Sequence, residues 1–113
     1  MRIWDVEPAR LCRQHLLGEH RELHAVWTIL AEGKAGYSRH PEVLRWQGKL
    51  PALAARHDAE VAEMAARGYR HRSPLEVEVV SGAAAQDEQL ESIERQLELL
   101  DAKPCDCLLE PGP

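Results

Sequence analysis

The 113-residue chain has no phenylalanine, two tyrosines and three tryptophans, so aromatic side chains cannot dominate its interior. Any core must come from Leu, Val, Ala and Trp. Cysteine is scarce: the three residues are an odd number, with Cys105 and Cys107 one residue apart, which is not the disulfide framework of a secreted mini-protein. No apolar run approaches the roughly 20 residues of a membrane-spanning helix. Met1-Arg2-Ile3-Trp4-Asp5 lacks the apolar stretch of a signal peptide, so a cytoplasmic protein without a membrane partner is expected. Basic charge is in deficit as well. With 14 Lys+Arg against 19 Asp+Glu the formal net charge is −5, which at face value argues against nucleic acid as a partner. What remains is 44% hydrophobic and 29% charged residues, a composition that folds, in a length that suits one domain.

The net charge hides a division. Residues 1–74 carry 12 Lys/Arg against 9 Asp/Glu, whereas residues 75–113 carry 2 against 10. All six histidines also fall in the first part. The chain therefore reads as a single domain, 1–113, in which a mildly basic, His-rich body (1–74) carries an acidic segment (75–113). Once the charge is split, nucleic acid is again admissible as a partner.

Hydrophobic spacing predicts an all-α, compact single domain of three main helices with long connecting loops. The first helix is expected from Pro8 to about Glu32, with Gly33 and Gly36 as stop signals. Cys12, Leu16, Leu23, Val26, Trp27 and Leu30 recur at helical intervals and form one apolar stripe. Pro41 can open a short helical stretch holding Leu44 and Trp46. A second main helix follows, with Leu50, Leu53, His57, Val61 and Met64 on one face and Gly68 as its stop. Arg70, His71 and Arg72 lie in a basic loop. Glu76 to Val79 alternates too briefly to establish a strand. The third helix is expected from Ala83 to Ala102, with Leu90, Ile93, Leu97 and Leu100 facing inward. The tryptophans read as core, and His57 as a hydrogen-bonded core residue.

The chemistry-bearing residues gather on the first helix. At about 100° per residue, His15, Gly18 and Glu22 point nearly the same way, with the apolar stripe on one side and Arg10, Gln14 and Arg21 on the other. Glu22 thus sits on a seam between core and a basic flank. Such a carboxylate is placed for acid–base work, although ordinary solvated helix charges explain Glu19 and Glu22 as well. Gly18 costs a helix roughly 1 kcal/mol relative to Ala, and close approach of another backbone or of a ligand is one reason to keep it. His20 and His24 stand at the i,i+4 spacing of metal ligands, but they point away from His15 and Glu22. Surface histidines and an incidental cysteine pair are the simpler reading, so no metal and no cofactor is expected.

The run Gln14-His15-Leu16-Leu17-Gly18-Glu19-His20-Arg21-Glu22-Leu23 resembles the first helix of the phage-type pyrimidine-dimer DNA glycosylases, often called endonuclease V. A second block, Lys49-Leu50 to Leu53, then Arg56, Glu60 to Glu63 and Arg67-Gly68-Tyr69, is similar to that family's second helix and its exit. Together the blocks cover most of residues 1–72. The family's aromatic tail is absent, and Cys105-Asp106-Cys107 stands in its place.

The resemblance implies a DNA repair glycosylase with associated apurinic/apyrimidinic lyase activity, acting through a Schiff base on the N-terminal α-amine. Here the amine would be that of Met1, retained because Arg2 is large, with Glu22 as its acid–base partner. Arg2, Gln14, His15, Arg21, Arg70 and Arg72 are the expected DNA contacts. The partner would be damaged double-stranded DNA, most simply with ultraviolet-induced pyrimidine dimers. The protein would be a nucleoid-associated monomer that needs no cofactor. Two other classes stay open on the residues alone: a non-catalytic DNA-binding or interaction module, and a small metal-binding helical protein using His15, Glu19 or the cysteine pair.

Overall fold

The computed structural model describes residues 2–33, 39–70, 75, 82–103 and 107. A 3-10 turn at Pro8–Arg10 precedes α1 (Arg13–Glu32), followed by a short α2 (Pro41–Trp46), α3 (Leu50–Ala66) and α4 (Ile93–Asp101). There is no strand among the described residues, and the only β-type contact is an isolated bridge between Lys49 and Gly82. The expected all-α fold with three main helices is the fold found.

Two helices start later than the sequence pattern predicts, each for a local reason. The first main helix does not begin at Pro8. Leu11 is extended (ψ 139°), Cys12 takes the N-cap position with its sulfur accepting from the His15 N–H, and the regular helix runs from Arg13. Its other end stops at Gly33, which closes the helix in the left-handed conformation (φ 66°) that a side chain disfavours. The third main helix begins at Ile93 rather than Ala83. Ser92 caps it by accepting from the Arg95 N–H.

Residues 82–91 are instead drawn into tertiary bonds that compete with helix formation. The Ala83 N–H donates to Gly48 O, and Ala83 O accepts from the Ala52 N–H. Lys49 Nζ reaches Gln86 and Asp87, and Gln86 Nε2 donates to Arg45 O. Leu90, predicted to face inward, is consequently exposed, as is Leu44.

The interior falls into two clusters. One holds Ile3, Leu23, Val26, Trp27, Val43, Trp46 and Leu53; the other holds Trp4, Val6, Leu11, Leu16, Met64 and Leu100. All three tryptophans are buried, as expected for a chain without Phe. Burying each of these large side chains contributes roughly 1.5–3 kcal/mol. The N-terminal segment is shared between the clusters: Ile3 enters one, while Trp4 and Val6 enter the other. Leu100 brings α4 onto the second cluster.

Candidate active site

Residues 3–6 lie outside any helix and have no strand partner among the described residues, so their backbone polar groups turn to side chains. Buried or half-buried polar groups from four helices do this. Arg45 Nη2 donates to Ile3 O at 2.8 Å, and the Trp4 N–H donates to Glu19 Oε1 at 2.8 Å. The Asp5 N–H donates to Gln96 Oε1 at 2.7 Å, and Arg56 Nη2 to Val6 O at 2.9 Å. Four consecutive residues are thereby bolted to α2, α1, α4 and α3 in turn. This segment is held by side chains of four helices and not, among the described residues, by a sheet.

The two carboxylates singled out on α1 part company here. Glu19 is fully buried, and Arg56 grips both of its oxygens, Nε to Oε2 at 2.8 Å and Nη2 to Oε1 at 3.0 Å. Burial pushes its carboxyl above the ordinary value, against the opposing pull of Arg56 and the Trp4 N–H. Glu19 is therefore an anchor for the N-terminal segment. Glu22, one turn further on, is half-buried, and it makes no hydrogen bond or ion pair with any described residue. Of the two carboxylates, Glu22 is the one with no partner among the described residues.

Gly18 lies one turn before Glu22. A Cβ built there would meet nothing within 4 Å among the described residues. Of the two reasons to keep a glycine at this point, packing of another backbone is not seen among the described residues, and the space at Gly18 is open to them.

The expected DNA contacts are distributed unevenly. Gln14, Arg21 and Arg70 are exposed. Arg2 is ion-paired to Glu91 at 2.9 Å and stacks over the Trp4 ring at 4.8 Å, so the acidic segment already occupies it. His15 is turned toward two sulfurs, with Nδ1 3.2 Å from Cys12 Sγ and 3.3 Å from Cys107 Sγ. Desolvation, with a smaller effect from Lys103, holds its imidazole below the ordinary histidine value. Met1, Arg72 and Cys105 lie outside the described residues, as does the alternation at 76–79.

Sequence reasoning passed over the residues that shape the site from below. Arg45 is only 1% exposed, with Nε 2.6 Å from Glu42 Oε1 and Nη1 3.0 Å from Asp5 Oδ1. The available signal was a Glu42/Arg45 pair at i,i+3 in a helix of six residues with a tryptophan; Arg56 and Glu60 give a similar one at i,i+4. Such pairs are ordinary on solvated helices, which is why spacing alone does not flag them.

Among the described residues, two groups of side chains could hold a metal ion: Cys12, His15 and Cys107, and, between α1 and α3, His20, His24 and His57.

Compared with known proteins, residues 1–77 match the family model described as pyrimidine dimer DNA glycosylase. No curated protein and no solved structure matches the chain.

Proposed function

We propose, since this chain belongs to the pyrimidine dimer DNA glycosylase family, that it excises damaged pyrimidines, ultraviolet-induced dimers first among them, and then cleaves the resulting abasic strand. In this reading the Met1 α-amine is the nucleophile and Glu22 its acid–base partner. One observation carries the assignment: side chains of four helices fasten residues 3–6, with Trp4 tied to Glu19 one turn from Glu22, which has no hydrogen bond or ion pair among the described residues. Three residues separate Met1 from that tie, a tether of about 10 Å at most. An α-amine also suits the task, because its pKa of about 7.7–8.0, against about 10.4 for Lys, leaves a useful neutral fraction near pH 7.

Binding begins at phosphates. Exposed Gln14, Arg21 and Arg70 supply contacts that set register without reading bases, joined by Arg2, His15 and Arg72. The open space at Gly18 leaves room for a DNA backbone next to Glu22. Damaged, poorly stacked steps kink and extrude more easily than intact ones, which favours lesions. The neutral amine adds to C1′ of the 5′ pyrimidine as the glycosidic bond breaks, and its electron pair leaves with the base. Glu22 relays the proton released by the nitrogen to the sugar ring oxygen, which opens the ring and yields an iminium. Loss of a proton from C2′ then expels the 3′ phosphate by β-elimination. No step calls for a metal or cofactor.

Borohydride trapping on ultraviolet-irradiated and abasic duplexes tests this reading. The expected result is a covalent adduct that maps to Met1, disappears when the terminus is blocked, and is strongly reduced in Glu22→Gln. No adduct on any damaged duplex, or an adduct mapped to a lysine, overturns it. Salt-dependent binding without cleavage that ignores Glu22→Gln would indicate a binding module instead.

A further inference from the structure

His20 and His24 share one face of α1, and His57 faces them from α3. Their rings form a near-equilateral triangle, with centroid separations of 4.7, 4.8 and 5.1 Å. One ring nitrogen from each lies within 4.8 Å of the others. Three cationic rings at these separations would repel one another, whereas three neutral rings can share one cation. The surroundings decide which nitrogens are presented inward.

His20 Nδ1 lies 2.8 Å from Glu60 Oε1, and the Glu60 side chain is completely buried. An ionised Glu60 can only accept, so it selects the neutral tautomer of His20 with the proton on Nδ1, the form whose Nε2 lone pair can bind a metal. That Nε2 stands 3.1 Å from His24 Nε2. Two nitrogens bound at about 2.0–2.1 Å to a tetrahedral ion are about 3.3 Å apart, so this pair is already close to the edge of a coordination tetrahedron. His57 repeats the pattern: its Nδ1 is 3.2 Å from Asp58 Oδ1, which leaves Nε2 as the ligand atom. A carboxylate behind a histidine fixes its tautomer and raises its basicity, the usual outer support of a metal-bound imidazole. Glu60 adds a further indication. Its Oε2 is buried without a hydrogen bond, and the nearest described cation, Arg56 Nε, is 3.6 Å away. A cation among the three rings would offset that buried charge.

We propose that His20, His24 and His57 bind one divalent transition-metal ion, Zn²⁺ by the chemistry of three imidazoles, with Glu60 as a positioning residue. Two ligands come from α1 and one from α3, so the ion cross-links the two longest helices. The half-exposed His24 side leaves the fourth position to water or a small ligand. The role is a staple of the fold, separate from the strand-cleavage chemistry, which draws on Glu22 rather than these rings.

The test must separate this triangle from Cys12, His15 and Cys107, since thiolates also bind zinc. Purified full-length protein is stripped with chelator, then titrated with Zn²⁺ alone and, separately, with Co²⁺. The expected results are one Zn²⁺ per chain bound by the triangle and a Tm that rises on binding. That equivalent is lost in His24→Gln and in His57→Gln and kept in Cys12→Ser. Glu60→Gln, with its ligands intact, weakens binding roughly 10–100-fold. The Co²⁺ form of Cys12→Ser keeps tetrahedral visible bands without a thiolate-to-metal charge-transfer band. Because a histidine variant could fail to fold, each is first shown to give the wild-type far-ultraviolet circular dichroism without metal. Failure of the wild type to bind Zn²⁺, or unchanged stoichiometry in folded His24→Gln and His57→Gln, overturns the proposal.

Discussion

Replacing Arg45 with methionine removes a charge while keeping most of the side chain's length, and the structure sets the cost. The guanidinium is 1% exposed and donates to four groups: Glu42 Oε1 at 2.6 Å, Asp5 Oδ1 at 3.0 Å, Glu88 O at 2.8 Å and Ile3 O at 2.8 Å. Each orphaned acceptor would cost about 1–3 kcal/mol alone. The costs do not add, because Glu42 keeps its bond from Trp46 Nε1 and Asp5 keeps Gln96. The larger effect is Glu42, a carboxylate 1% exposed that would lose its only cation among the described residues. Breaking a buried pair from one side costs about 3–5 kcal/mol, a large share of the roughly 5–15 kcal/mol that holds a domain together. At roughly 4 °C or more per kcal/mol for a chain of this size, Tm should fall by about 12–20 °C. Urea unfolding with an unchanged m-value measures it. Arg45→Met/Glu42→Gln, which removes both charges, should recover at least about 1 kcal/mol of the loss. Arg45→Met within about 1 kcal/mol of wild type, or a double variant no better than the single, would refute the reasoning.

Gly82→Ala forces a side chain at φ 128° and drives a Cβ into the Gly48 carbonyl, so it should destabilise by about 1–3 kcal/mol in a thermal melt. Leu100→Ala, at a position with no exposure, should cost about 2–5 kcal/mol, and a loss under about 1 kcal/mol would mean that α4 is not integral to the core. Because burial raises the Glu19 carboxyl above its ordinary value of 4.5, the folded state holds that proton more tightly than the unfolded chain does. Wild-type stability should therefore fall relative to Glu19→Gln as pH rises from that value through the raised one, and level off above it. Urea midpoints measured across pH check this, and parallel profiles would contradict it.

The sequence by itself determined the all-α class, the face that α1 buries and the split between a basic body and an acidic segment. The 3.6-residue recurrence from Leu16 to Trp27 leaves α1 no other apolar face to bury, and the glycine at 33 leaves it little choice of end. The Gln14 to Leu23 run carried a family resemblance that the match over residues 1–77 bears out. Local pattern failed where long-range bonds outbid it. Residues 83–92 have helical spacing but are claimed by Gly48, Lys49 and Arg45, and Cys12 overrides the proline start as the cap. Only the tertiary structure distinguished Glu19 from Glu22. Three positions apart they are nearly equivalent in sequence, yet one meets Arg56 and the Trp4 N–H across the interior and the other meets neither. Only it, likewise, turned two histidines at i,i+4 into three, because the third arrives on α3 from 33 residues beyond His24. Spacing along one helix is fixed by its own geometry; which side chains of another helix stand opposite is fixed by packing.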